Sequence, residues 1–478
     1  MLIRRAPTPS PTSPATSPAT SPSAPLLRVG GWLAAALWAL AFPLVSTLGP
    51  HRVWGISAAA GYAGAALAAW WLPRPRARAA SVTCALLGAV VVPLTLLLLT
   101  GQGQSEVGVI ERSGVLLVRQ ASPYLTDPQD VGDYTPYLPG MALFGLPRAV
   151  LGDETAPARL LGDARLWCAA VFLLCLAAGR SVLRGRARDG RTTGAARDGR
   201  TSSAARNGRT GDAAPYRTGL AVLVASPVVA LPLCVSGVDL PLAGLCCLGL
   251  ALAARDRPVA AGLALAAACS LKWTAWPAVA VAASLLASGP GTRAAPCDAR
   301  ATLRRTRAAL RCAATSITGT LVLTLPSALL APGPMAHQVL AFPTGRADVA
   351  TPAASPLPGR LLADLGPFGW YVATALLLCG GAAVAVTLVV RPPSDAVAAA
   401  DRLAAGLCVA FLLAPAGRFG YLALPVVLVV WTRLATPGAR TRLATPGART
   451  QRTVPGENPP PKTPDRPSPT PHPLDYAS

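Results

Sequence analysis

Acidic side chains, histidine and above all lysine are scarce in this chain. Among 478 residues there are 21 Asp and Glu, three His, and two lysines, Lys272 and Lys462. Charged residues make up 13% of the total, against roughly a quarter in a soluble domain, which excludes an ordinary water-soluble fold. The eleven cysteines form no CxxC pair, and most fall in apolar runs where cysteine packs as a small hydrophobe. Neither a disulfide framework nor a zinc site is expected from them. No nucleotide-phosphate loop, HExxH or GxSxG is present, so ATP-driven or soluble-cofactor chemistry has no visible sequence basis.

What the chain has is apolar length. Hydrophobic residues reach 52% with a mean hydropathy of +0.45. Runs of the ~20 residues needed to cross a bilayer recur throughout. Each must be a helix, because lipid offers no partner to open backbone groups. The fold class is therefore all-α: a multi-pass cell-membrane protein with about 10–12 transmembrane helices. The formal net charge of +22 comes almost wholly from arginine, gathered in a few loops and the tail. That pattern fits cytoplasmic loops facing anionic membrane lipids, with no nucleic-acid partner. Arginines at 74–78, 180–217, 255–257, 293–311 and from 433 onward mark the cytoplasmic side.

Three regions follow. Residues 1–28 are a Pro/Ser/Thr-rich tail with repeated SPAT units, 29–432 a transmembrane domain, and 433–478 a basic, Pro-rich tail. The loop 180–217 repeats ARDGRT and ARNGRT, and the last region repeats TRLATPGAR, both read as flexible. The stretch Pro258 to Ser288 has basic loops at both ends, yet is too long for one span and short for two. A pair of short helices that enter and return, with Lys272 near the turn, resolves this parity problem.

On that orientation the segments 101–157 and 332–366 and the turn at Asp239 face outward. The first holds Glu106, Glu111, Asp127, Asp130 and Asp133. Glu106 at the outer surface can act as a general base towards a sugar hydroxyl, or simply be a solvated or Arg112-paired charge. Glu111, five residues on, need not share its pocket. Tyr124 and Tyr137, in proline-rich surroundings, either anchor the loop at the interface or offer faces for a sugar ring. His337 is the one histidine well placed in the second outer loop; His51 sits in a tight turn. Lys272 and Arg418, cations in or beside apolar segments, suit a lipid phosphate, with snorkelling to the interface as the plainer reading.

In order along the chain, these motifs resemble the glycosyltransferase 87 family, actinobacterial mannosyltransferases of the GT-C superfamily. The matching elements are Glu106 to Ile110, S-P-Y at Ser122 to Tyr124, Tyr137 to Pro147 and G-V-D-L-P at Gly237 to Pro241. Ala261 to Trp273, F-P-x-G at Phe342 to Gly345 and A-P-x-x-R-F-x-Y at Ala414 to Tyr421 complete the set. The resemblance implies a GT-C-like fold and an inverting hexosyltransferase. It would move mannose from a polyprenyl-phosphate donor to an envelope glycolipid or glycan acceptor on the outer face. Glu106 stands where the family has Asp, and Ile110 where Tyr is usual. The resemblance assigns Glu106 and His337 to catalysis and Lys272 and Arg418 to the donor phosphate; Glu111, Tyr124, Tyr137 and Asp239 stand beside them as substrate-binding candidates. No cofactor is evident, and dependence on a divalent cation stays open. The competing reading is a membrane transporter or lipid flippase, against which stand the absence of a visible inverted repeat and the two large outer loops.

Overall fold

The computed structural model describes residues 23–198, 213–289 and 299–436. They fall within one compact unit, Met1–Pro437; the second unit, Gly438–Ser478, lies outside the described residues. Most of the N-terminal tail, residues 199–212 with the last ARNGRT copy, and the C-terminal repeats are outside them too.

Among the described residues the secondary structure is helical, with one isolated bridge between Ala354 and Gly417. The first helices are α1 (Ser23–Val45), α2 (Gly49–Trp71), α3 (Arg74–Leu86) and α4 (Val92–Leu99). Then come α5 (Ser105–Gln120), α6 (Ala164–Asp198), α7 (Ala213–Ala225) and α8 (Pro227–Val235). The short helices α9 (Leu240–Ala253), α10 (Pro258–Leu271) and α11 (Pro277–Ser288) precede α12 (Ala299–Leu330), α13 (Pro367–Val390), α14 (Ala396–Leu413) and α15 (Ala423–Ala435).

Seven of the described helices are long and apolar enough to cross a membrane, and α7 with α8 would add an eighth span bent by 60°. Four shorter apolar helices are needed to reach the ten to twelve expected from the sequence. The chain is a multi-pass membrane protein.

Two breaks show how the fold tolerates irregular backbone inside the apolar region. Between α3 and α4 the chain makes a π-turn at Leu87–Val91, just before Pro93. Proline has no N–H to give the carbonyl four residues back, which is Ala89. Trp54 Nε1 donates to that oxygen instead at 2.9 Å. At the α7/α8 bend, Pro227 begins the second helix, and the Tyr62 hydroxyl donates to the Ala225 carbonyl at 2.6 Å. Both tie α2 to its neighbours while satisfying groups that lipid could not.

The expected short-helix pair is present. α10 stops at Leu271, Lys272 is extended, a 3-10 turn spans Trp273–Ala275, and α11 starts at Pro277. At 1.5 Å per residue, the 14 residues of α10 rise about 21 Å, short of the ~30 Å hydrocarbon core. α10 alone is therefore shorter than a full span, and Lys272 stands directly at its end. α9 is similarly short and almost entirely buried, and Asp239 stands at its head.

α5 follows the end of α4 that lies away from the arginines at 74–78. Its buried residues include Val107, Ile110, Ser113 and Gly114. A Cβ on Gly114 would stand 2.2 Å from the Gly145 carbonyl carbon, so only glycine lets the Pro139–Gly145 turn approach this closely. That contact seats the preceding residues, Tyr137 and Leu138, beside α10, where the Leu138 N–H donates to the Leu271 carbonyl at 3.0 Å.

Candidate active site

Glu106 sits in the first turn of α5. The helix begins there because Gln104 holds an extended backbone and donates its N–H to Val235 at 2.9 Å. Arg418 comes from the connection between α14 and α15, more than three hundred residues away, and pairs directly with Glu106. Its backbone is fixed by the neighbouring segment: Gly417 donates to Ala353 at 2.9 Å, and Ser355 donates to the Gly417 carbonyl at 3.0 Å. The pair is recessed, with the Glu106 side chain 13% exposed.

A second ion pair lies alongside. Lys272 Nζ is 2.5 Å from Asp239 Oδ1, at the break after α10 and the head of α9. The ammonium is also 5.2 Å from each of the ring centroids of Tyr137 and Tyr421, which flank it. Tyr137 is within electrostatic reach of Glu106, Asp239 and Arg418 together, so the two pairs form one cluster. Burial holds the Tyr137 hydroxyl well above its ordinary pKa, keeping it a neutral phenol. Five residues singled out from the sequence, Glu106, Tyr137, Asp239, Lys272 and Arg418, therefore meet, joined by Tyr421.

Three others do not. Glu111 points to a different side of α5, where Arg148 Nε donates to its Oε2 at 2.9 Å and the Ala164 N–H to its Oε1 at 3.2 Å. Burial raises its pKa, the Arg148 contact opposing the shift. Its partner is thus Arg148, while Arg112 instead donates to the Gly132 and Asp133 carbonyls. Tyr124 is fully buried and donates its hydroxyl to the Tyr137 carbonyl at 2.9 Å, which makes it a brace behind Tyr137 and no face for a sugar. His337 lies at the surface, 3.6 Å from Asp348 and tilted against the Tyr134 ring, away from the Glu106 cluster.

The residue facing inward in that second loop is the next one. His337–Ala341 is a π-turn, and in it Gln338 is completely buried. Its Oε1 accepts the Thr135 N–H at 2.9 Å and its Nε2 donates to the Leu125 carbonyl at 2.6 Å. Gln338 thereby clamps the segment leading into Tyr137. Its sequence signal is weak: a polar amide directly after the histidine, ahead of an apolar run.

Two further residues were missed. His51, at the start of α2, has Nε2 2.6 Å from the Gln104 amide and lies within electrostatic reach of Glu106 and Arg418. Arg165 is buried at the head of α6, where Nε and NH2 donate to Asp163 at 2.9 and 2.7 Å. Its NH1 donates to the Gln102 and Cys234 carbonyls. An Asp-x-Arg pair at the mouth of an apolar span was its signature.

No three His, Cys, Asp or Glu side chains come together as a metal site among the described residues. Chemically, the cluster offers two carboxylates, a cation paired with each, and an aromatic wall. It can grip a phosphate and accept a proton from a hydroxyl.

Comparison with known proteins agrees in class. The sequence model of glycosyltransferase family 87 matches residues 134–415, more than half of the chain. That region contains Tyr137, Asp239 and Lys272, whereas Arg418 lies three residues past its end and Glu106 lies 28 residues before its start. No curated protein and no solved structure matches the chain. The chain belongs to glycosyltransferase family 87 and, with its array of spans, is a membrane glycosyltransferase.

Proposed function

We propose that the protein transfers a hexose, mannose by family resemblance, from a polyprenyl-phosphate donor to a glycolipid or glycan acceptor at the outer membrane face. The observation that carries this reading is the convergence of Glu106, Arg418, Lys272 and Asp239 at one recessed spot opposite the arginine loops. Arginine-rich ends face the cytoplasm, so the opposite end faces out.

In the proposed step, Glu106 takes the proton of an acceptor hydroxyl. The hydroxyl oxygen attacks the anomeric carbon of the donor sugar, inverting it, as the bond from that carbon to the phosphate oxygen breaks. Polyprenyl phosphate leaves with the electron pair, its growing charge met by Arg418 and Lys272. Tyr137 and Tyr421 flank the ammonium and narrow its approach. Arg418 pairs with the Glu106 carboxylate. An incoming phosphate competes for the guanidinium and frees the carboxylate, which couples donor binding to readiness of the base.

The test is transfer by the purified protein in lipid nanodiscs given labelled polyprenyl-phosphate mannose. Wild type should label an added mannoside acceptor. Arg418→Gln and Lys272→Met should each raise the donor KM about 10-fold or more, since charge-assisted contacts are worth roughly 1.5–3 kcal/mol. Donor KM values unchanged in both variants would remove the phosphate role.

A further inference from the structure

On the side of α5 away from Glu106 lies a cleft of about 650 Å³. Successive helical residues turn by about 100°, so Ser105, Gly108, Arg112 and Val115, which line it, face away from Glu106. Its far wall carries Asp153, from the connection between the two short helices Leu146–Leu151 and Ala156–Gly162, and Arg159, from the second of them. The volume lies within the ~300–1,000 Å³ typical of small-molecule sites, room for more than one sugar ring.

The charges in this cleft are of two kinds. Glu111 with Arg148 and Asp163 with Arg165 are closed pairs within the wall, and Arg112 is engaged by Asp133 and the Gly132 carbonyl. Asp153 and Arg159 are exposed, and among the described residues neither side chain has a partner or reaches the other. A free anion would meet Asp153, and a free cation would meet Arg159. A neutral polyol suits both, because each hydroxyl can accept from a guanidinium and donate to a carboxylate. Gly101 and Gly108 leave open space where a ring could lie close to the backbone.

The cleft also adjoins the catalytic cluster. Gln104 lines it and hydrogen-bonds His51, which lies in the field of Glu106 and Arg418. Only the first turn of α5 separates the two.

We infer that this cleft is a distal acceptor subsite, holding the non-reacting units of a neutral glycan whose growing end curls round the start of α5 to Glu106. The inference rests on Glu106 serving the acceptor, as proposed above. It makes the enzyme one that extends an existing chain, with Asp153 and Arg159 setting preference for longer acceptors.

Binding and transfer are measured separately in nanodiscs of zwitterionic lipid. The binding probe is a neutral mannose tetrasaccharide, titrated calorimetrically onto wild type, Asp153→Asn/Arg159→Ala and Glu106→Gln. The cleft double variant should weaken binding about 10-fold or more through two lost charged hydrogen bonds, and Glu106→Gln, whose amide still hydrogen-bonds the reacting hydroxyl, should weaken it by less than the double variant does. In transfer, the double variant should raise KM for the tetrasaccharide to that of a monosaccharide while leaving monosaccharide kcat/KM unchanged. Equal tetrasaccharide affinity in wild type and double variant overturns the subsite, as does equal loss on both acceptors. Retained activity of Glu106→Gln would instead remove the base and leave the binding result standing.

Discussion

Glu106→Gln should lower kcat by about a thousandfold, within the 10²–10⁴ range for loss of a positioned general base, while donor KM stays level or falls. The amide keeps the shape of the side chain and can still accept from Arg418, so the fold and the partner remain in place. What disappears is the group able to take a proton. Donor KM does not rise because the substitution removes the anion that competes with phosphate for Arg418. This split, lost turnover with preserved donor affinity, separates a base from a residue that merely holds Arg418. Steady-state kinetics with labelled donor reads it directly. More than a tenth of wild-type kcat would rule Glu106 out as the base.

The second large effect is structural. Arg165→Met should leave the purified protein much less resistant to heat, since removing one partner of a buried ion pair destabilises by roughly 3–5 kcal/mol. Asp163 would remain buried without its cation, and the Gln102 and Cys234 carbonyls would lose their donor. These contacts hold the chain just ahead of α5, so the variant should also lose activity. Arg165→Met/Asp163→Asn, which removes the stranded charge, should regain part of the heat resistance. The fraction remaining monodisperse after a heating series measures both. Wild-type resistance in the single variant would mean that the pair contributes little.

Much of the membrane architecture could be read from hydropathy and arginine placement. The parity conflict across Pro258 to Ser288 foretold the short helices on either side of Lys272, because a cation between basic-ended apolar runs has few other solutions. The partners of that cation could not be foretold. Asp239 is 33 residues away and Arg418 lies 312 residues from Glu106, and apolar runs alone do not say which helices become neighbours.

Local geometry accounts for the other differences. Glu106 and Glu111 share a helix, yet five residues of rotation send one to Arg418 and the other to Arg148. A π-turn at His337–Ala341 leaves the histidine at the surface and buries Gln338, a choice that residue chemistry alone does not reveal. His51 looked like a turn residue and is one, but the turn abuts the start of α5. In each case the sequence named the right neighbourhood and the backbone chose the residue.

The most direct test is a structure of the nanodisc-embedded protein with polyprenyl phosphate bound. The phosphate should lie within hydrogen-bond reach of both Arg418 and Lys272, with Glu106 released from Arg418 and open to an acceptor hydroxyl. A phosphate bound elsewhere, with the Glu106–Arg418 and Asp239–Lys272 pairs both intact, would contradict the account.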